Sequence, residues 1–224
     1  MTPEAWSQEL TNRVAKVVQP SEVEAAVSAL TKFRDLVRNE NQVQNLTRLL
    51  SDEEFLEGHF QDCFEVLAAA PEIRERSCFD LGSGAGVPGI PTAILAGKSR
   101  WTLSESELGK AKHLENVVQE LSLKDRVRVM HGRAEKTIGL ATPEVVLSRA
   151  VGKVGKILEW IERCSTWNTL ILFKGPSWET EWADYVATTP TNKNRPAVIV
   201  DHKYQVMAGD GEAKSRRILV LRRS

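Results

Sequence analysis

The sequence predicts a doubly wound α/β fold. A mostly parallel seven-stranded sheet ends in an antiparallel hairpin, and a helical segment precedes it. Three observations carry this reading. From Ser77 onward, apolar strand-like runs alternate with helical patterns. Residues 78–91, Cys-Phe-Asp-Leu-Gly-Ser-Gly-Ala-Gly-Val-Pro-Gly-Ile-Pro, read as a buried strand end, a glycine turn and a helix start. The last two strand-like runs have no helix between them and meet through Gly209-Asp210-Gly211, which suits a hairpin.

Taken in order, residues 3–18 place Trp6, Leu10, Val14 and Val17 at helical spacing, and Pro20 is expected to stop that helix. Ser21 and Glu24 read as a capping box for a second helix with the stripe Val23, Ala26, Val27, Leu30, Phe33 and Val37. Residues 43–47 form a link. A second capping box at 51–54 then opens a third helix running to about Ala70, with Phe55, His59, Cys63 and Val66 on one side. Strands are expected at 77–81, 100–105, 127–131, 144–148, 168–174, 197–206 and 216–222, and helices at 88–96, 108–121, 150–163 and 177–187. The division that follows is a helical segment, 1–72, and an α/β domain, 73–224.

Bulk composition constrains function little. Hydrophobic residues make up 42% and charged residues 27%, and thirty Lys plus Arg balance thirty Asp plus Glu. A neutral chain binds nucleic acid only through a local basic patch. Cys63, Cys78 and Cys164 lie in apolar contexts without metal spacing and read as buried thiols of a reducing compartment. No signal-peptide pattern and no apolar run of about 18 residues is visible, so a cytoplasmic protein with no membrane association is expected. A monomer without metal is the expected form.

The glycine turn carries the chemistry. Gly82, Gly84 and Gly86 alternate, which differs from the dinucleotide spacing in which the third glycine falls one residue later. A turn of this kind at the carboxyl end of a first strand brings backbone N–H groups toward a ligand. Asp80 precedes it by two residues, and Glu105 ends the next strand, where a carboxylate can take both hydroxyls of a ribose. Together these resemble the S-adenosylmethionine (SAM) site of Rossmann-like methyltransferases, with Asp80, Gly82, Ser83, Gly84, Gly86, Val87 and Glu105 as candidate contacts. Ala134 and Glu135 follow the third strand, where such a loop borders the adenine; a plain helix start reads equally well.

Arg149 ends the fourth strand and points toward the crevice as an orienting group. Lys153 and Lys156 are expected to continue its face along the next helix, opposite Val151, Val154, Leu158 and Ile161, where they read equally well as phosphate contacts or as a solvated helix face. Lys174 ends the fifth strand, where it reads equally well as a substrate contact or as a plain loop lysine. Arg216, Arg217, Arg222 and Arg223 flank the last strand as a basic cluster. His59, one turn from Asp62, shares an apolar stripe and reads as a core histidine bonded to a backbone carbonyl. No residue is placed as a general base: neither an Asn-Pro-Pro-Tyr motif for exocyclic amines nor a cysteine set for covalent attack on cytosine is present.

These motifs resemble the RsmG (GidB) family of bacterial 16S rRNA methyltransferases over nearly the whole chain. The matching parts are Asn45-Leu46-Thr47, His59 with Asp62, the run from Asp80 to Pro91, Ala134-Glu135, Ser148-Arg149-Ala150 and Lys174-Gly175. The resemblance implies methylation of guanine N7 in a conserved loop of 16S rRNA, in the free RNA or the small ribosomal subunit, with SAM as donor. It implies donor contacts at Gly82, Val87, Ala134, Glu135 and Arg149. Glu105 stands where many members have Asp, and Gly109-Lys110 replaces a common Lys-Arg. Three other readings remain open from the residues themselves: a small-molecule methyltransferase, a nicotinamide oxidoreductase, and a non-catalytic RNA binder of ribosome assembly.

Overall fold

The computed structural model describes residues 1–189, 195–208 and 211–223. Gly209 and Asp210 of the connecting turn lie outside the described residues. The chain opens with α1 (Pro3–Val14), a 3₁₀ turn at Pro20–Glu22 and α2 (Val23–Asn41). Next come α3 (Asp52–Phe55), one wide turn with π geometry at Leu56–Phe60, and α4 (Gln61–Ala69). The α/β part follows as β1 (Ser77–Leu81), α5 (Gly89–Ala96), β2 (Arg100–Glu105), α6 (Leu108–Glu120), β3 (Val127–His131), α7 (Ala134–Ala141) and β4 (Val145–Arg149). It ends with α8 (Val154–Ile161), β5 (Thr169–Lys174), α9 (Trp178–Thr188), β6 (Ala197–Met207) and β7 (Ala213–Arg222).

The strands form one sheet of order β3-β2-β1-β4-β5-β7-β6. Its first five strands are parallel, and β7 is antiparallel to both β5 and β6. The order reverses between β1 and β4, so a crevice opens there at the carboxyl ends. Register aligns that edge: Leu81 pairs with Ser104 and Ser148, Glu105 with His131, and Arg149 with Phe173.

Alternation along the strands divides the core into two. On one face, Cys78, Leu103, Leu147, Ile171 and Val220 pack with α5, α6 and the whole N-terminal helical segment, including Trp6, Leu30, Phe33 and Phe60. On the other, Phe79, Val146, Leu172 and Leu219 pack with α7, α8 and Trp178. The helical segment therefore shares a continuous core with the sheet. All three cysteines are buried thiols.

Local differences from the sequence reading have physical causes. Helix α1 ends at Val14, and Pro20 instead opens the 3₁₀ turn, where its missing N–H costs nothing. The capping carboxylate there is Glu22, which accepts the Gln19 N–H at 3.1 Å. The box at Ser51 and Glu54 is present as expected. Helix α8 begins at Val154 rather than at 150, because Ala150 adopts φ +58° and turns the chain away from β4. Helix α7 starts at Ala134, the helix start that read as well as a loop there, and ends before Thr142, which lies in the left-handed region. Among the described residues no helix is long and apolar enough to cross a membrane, and no group of three or more His, Cys, Asp or Glu could hold a metal ion.

Candidate functional site

The glycine loop sits at the carboxyl end of β1, and its glycines do different things. All three have positive φ: +73° at Gly82, +54° at Gly84 and +93° at Gly86. A Cβ on Gly86 would lie 2.8 Å from Ile90 Cδ1, so that position is closed by packing. A Cβ on Gly84 would meet nothing nearer than 4.0 Å, so its backbone presents an open face. Gly82 is exposed and Gly84 half-buried, while the Ser83 and Val87 side chains are buried. The N–H groups of Gly82 and Ser83 both donate to the Ser104 carbonyl at 3.0 Å, which ties the loop to β2.

Two carboxylates hold the loop. Glu105, 6% exposed, accepts the Gly84 N–H on Oε2 at 2.9 Å and the Glu107 N–H on Oε1 at 2.8 Å. Asp80 is buried beneath the turn, and its Oδ2 accepts the Gly89 N–H at 3.1 Å, capping α5. Burial pushes the Asp80 carboxyl up to about 6, against the lowering effect of the bonds from Ser83 and Gly89 and of the Arg149 charge. Pro91 lies in the first turn of α5, and the Val87–Pro88 peptide is cis. Asp80 thus builds the loop from below, whereas Gly82, Gly84 and Glu105 border its open side.

Ala134 and Glu135 open α7 just after β3, whose end pairs with Glu105 at the end of β2. The Glu135 carboxylate lies below its usual range because its own backbone N–H and the Arg133 side chain bond to it; Arg133 Nε is 2.9 Å away. Ser104 and Thr137 hydroxyls meet at 2.8 Å and fasten α7 to β2, a contact with no signal in the sequence.

Arg149, at the end of β4, turns toward the helical segment. Its Nη1 donates to the Gly58 carbonyl at 2.9 Å and to Asp62 Oδ2 at 2.7 Å, and its Nη2 donates to His59 Nδ1 at 3.0 Å. Arg216 Nη1 donates to Asp62 Oδ1 at 2.7 Å, and the Tyr204 hydroxyl donates to the same oxygen at 2.6 Å. A guanidinium only donates, so His59 accepts on Nδ1 and carries its proton on Nε2, 3.1 Å from Thr47 Oγ1. Burial, and then the charges of Arg149 and Arg216, depress the imidazole to about 3. The imidazole is therefore neutral and bonded to the Leu49 backbone, as expected of a buried core histidine; Arg149 and Thr47 are partners the sequence did not indicate. Burial and Asp62 push the Tyr204 phenol upward. Asp62, Arg149, Lys174, Tyr204, Lys214 and Arg216 line a cavity of about 700 Å³ over β4, β5 and β7.

The remaining basic candidates disperse. Lys174 Nζ donates to the Gly152 carbonyl at 2.6 Å and to Glu181 at 2.7 Å, so it closes the loop before α8. Lys153 is the exposed cap residue of α8 and Lys156 pairs with Glu159 at 3.0 Å; neither continues a face from Arg149, which belongs to a strand. Arg217 pairs with Asp201 and Glu179, Arg222 with Glu72, and Arg223 lies over the Trp167 ring at 4.4 Å. Arg216 and Arg222 are six residues apart on β7, about 20 Å along a strand. The four arginines therefore do not form one patch. Asp62 was not read as a partner of Arg149, nor Tyr204 as a partner of Asp62; the sequence signal there was the spacing of His59 and Asp62.

A glycine loop after β1, an acid after β2 and this strand order together define a Rossmann-like methyltransferase fold. Solved structures agree on the fold: a cofactor-bound protein from MTB superposes with TM-score 0.56 at 16% identity, covering 89% of this chain and 90% of the other. TrmK, a tRNA methyltransferase of B. subtilis, superposes with TM-score 0.52 at 20% identity, covering 71% and 65%. The sequence model of the GidB family, described as rRNA small subunit methyltransferase G, matches residues 26–205, and the chain belongs to that family. The ribosomal RNA small subunit methyltransferase G of Clostridium botulinum (strain Loch Maree / Type A3) is 36% identical over 154 residues, which is 66% of this chain and 64% of that relative's length. The protein of the same name from Solibacter usitatus is 30% identical over 187 residues, 82% of this chain and 85% of the relative.

Proposed function

We propose that this chain transfers a methyl group from SAM to guanine N7 of 16S rRNA, in the free RNA or the small ribosomal subunit. The observation that carries the proposal is the open backbone of Gly84 locked to the buried Glu105 carboxylate beside the β1–β4 crevice. The site fits the donor chemically. Glu105 retains carboxylate lone pairs for a ribose diol, Gly84 offers backbone without a Cβ in the way, Gly82 is exposed beside it with the place of its Cβ closed by Val151, and the start of α7 at Ala134 and Glu135 borders the same edge. Ser83, Gly86 and Val87 shape the loop, Asp80 supports it, and Arg149 contributes its backbone at the end of β4. When bound, SAM supplies an electrophilic methyl on a sulfonium.

Guanine N7 has an in-plane lone pair and no proton to lose, so the acceptor needs no general base. That agrees with His59, whose one acceptor nitrogen is already taken by Arg149. The task of the chain is alignment of acceptor and donor, where holding two reactants in line contributes about 7–11 kcal/mol. Membership of the rRNA small subunit methyltransferase G family supports the substrate class.

The test is transfer of labelled methyl from SAM to small subunits lacking the modification, with mass mapping of the product base. 7-Methylguanine in 16S rRNA is the expected result. Label in another base overturns the target. SAM binding without transfer to RNA moves the activity to a small-molecule acceptor.

A further inference from the structure

The N-terminal helical segment reaches the carboxyl edge of the sheet through the wide turn Leu56–Phe60 and the first turn of α4. There it delivers a carboxylate, an imidazole and a backbone carbonyl to two arginines. The Asp62 carboxylate is 2% exposed and takes three hydrogen bonds, from Arg149, Arg216 and Tyr204. The Gly58 carbonyl accepts from both arginines, at 2.9 and 3.3 Å. Wide helical turns of this kind recur at functional sites.

The charge count does not close. Asp62 carries one negative charge and Arg149 and Arg216 one positive charge each, while His59 and Tyr204 are neutral. One surplus positive charge remains in a cavity walled by protein, where its attraction for an anion is stronger than in open water. The arginines also keep donors in reserve. Among the described residues the bonds to Arg149 use both hydrogens of Nη1 and one of Nη2, and those to Arg216 use Nη1, so the Nε–H of each has no partner. Fork-shaped guanidiniums with fixed stems and free edges suit the paired oxygens of a phosphate.

Position separates this cluster from the donor side. The glycine loop follows β1 and Glu105 follows β2, whereas the cavity lies over β4, β5 and β7, across the reversal of strand order. We propose that Asp62, with His59, is a positioning residue that aims Arg149 and Arg216 into the cavity as a clamp for one backbone phosphate of the RNA beside the target base. This rests on the reading of the chain as an RNA methyltransferase. It also gives the helical segment a role in acceptor binding beyond covering the sheet.

The experiment uses the full chain, with Asp62→Asn and Arg216→Ala. Three quantities are read for each: retention of a 16S rRNA fragment across a salt series, SAM binding by calorimetry, and KM and kcat on small subunits. Loss of one charge-assisted hydrogen bond corresponds to about a tenfold or greater change, so KM for the subunit should rise about tenfold in both variants. SAM affinity should stay within about twofold in both, and kcat should fall much less than KM rises. Arg216→Ala should also flatten the salt dependence by about one phosphate contact, whereas Asp62→Asn should keep the slope and lose affinity. RNA binding unchanged in both variants overturns the clamp. Loss of SAM affinity with RNA binding intact overturns the phosphate assignment, because the anion is then the donor's carboxylate. Parallel loss of SAM binding, RNA binding and thermal stability makes the cluster a fold element and overturns positioning. Should Asp62→Asn fail to fold, Tyr204→Phe replaces it: removal of one neutral bond to Asp62 should raise KM for RNA less than Arg216→Ala does, and an unchanged KM in both overturns the clamp. The underlying reading is judged separately by the wild-type chain: salt-dependent RNA retention with no methyl transfer sinks the activity and leaves the clamp standing.

Discussion

The Gly84 N–H donates to Glu105 Oε2 at 2.9 Å, so the acid at the end of β2 holds the open point of the glycine loop after β1. One carboxylate therefore has two duties: it orders the loop and it presents lone pairs to a ribose. Glu105→Ala removes both and should weaken SAM binding by about 1.5–3 kcal/mol. Glu105→Gln keeps an acceptor for Gly84 and should lose less. Calorimetric titration of SAM checks this, and an affinity unchanged in the alanine variant would remove Glu105 from the donor site.

Gly89 opens α5 directly against Asp80. A Cβ there would lie 2.6 Å from Asp80 Oδ2 and 2.5 Å from Leu103 Cδ2, with Asp80 Cβ at 3.1 Å. Gly89→Ala should therefore cost about 1–3 kcal/mol of stability, the usual cost of overpacking. It should also weaken SAM binding, because the loop rests on Asp80. Denaturant unfolding alongside SAM titration reads both effects.

Two buried groups push stability in opposite directions as pH changes. The folded His59 sits at about 3, below its ordinary value of 6.5, so its contribution is present at neutral pH and is lost as pH falls from 6.5 toward 3. The folded Asp80 sits at about 6, above its ordinary 3.8, so its contribution is present below 3.8 and is lost as pH rises through 6. His59→Gln should make stability less acid-sensitive between pH 6 and 4 than in the wild type. Asp80→Asn, which keeps an acceptor for the Gly89 N–H, should gain on the wild type as pH rises from 4 to 6 and then level off. Urea unfolding of the three proteins across that range decides, and parallel curves would contradict both assignments.

Much of this architecture is legible because strands and helices impress their periods on the chain. The runs 77–81, 100–105 and 127–131 match β1, β2 and β3 because β1 and β2 are buried along most of their length, while the edge strand β3 alternates Val127 and Val129 with the polar Arg128. The start of α8 was misplaced because a single residue, Ala150, carries the turn, and alanine gives no hint of positive φ. The start of α7 was legible at Ala134-Glu135, but its extent was not, because it is brief, contains Gly139 and ends without a glycine stop. At the site, local motifs showed the glycine loop and its two acids. The Asp62, Arg149 and Tyr204 network joins residues 87 and 142 positions apart, and no local pattern encodes a contact of that separation. The four C-terminal arginines looked alike as a sequence cluster. Only pairing with β6 shows that Arg216 lies opposite Tyr204 while Arg222 lies opposite Ala197 at the far end of the strand.

Lys153 and Lys156 should contribute unequally to RNA binding. Lys153 is exposed at the start of α8, whereas Lys156 is already paired with Glu159 on the surface. The double variant Lys153→Ala with Lys156→Ala should lower RNA affinity and its salt slope while leaving SAM binding intact. Most of the change should come from Lys153, since Lys156 gives up a neighbouring acid when it meets a phosphate. Filter retention of a 16S rRNA fragment at several salt concentrations checks this, and equal curves for wild type and double variant would remove α8 from the RNA surface.

Lys174, like Arg149 and Arg216, is held by a backbone carbonyl and a carboxylate, but by those of the loop before α8 and of α9. Its ammonium is bonded to the Gly152 carbonyl and to Glu181, and the same Glu181 oxygen accepts the Val154 N–H at 3.1 Å. The side chain thus clasps the end of β5 to the beginning of α8 across the floor of the cavity. Lys174→Met keeps the apolar stem and removes the charge, leaving Glu181 with a single backbone donor and Gly152 without one. The expected result is a loss of about 1–3 kcal/mol in stability, the penalty for leaving the largely buried Glu181 carboxylate short of a partner, while the exposed Gly152 carbonyl turns to water. The effect on RNA affinity should be smaller than that of Arg216→Ala. Thermal unfolding and RNA retention on the same preparation separate the two roles. A variant of normal stability with a reduced salt slope would place Lys174 against the substrate instead.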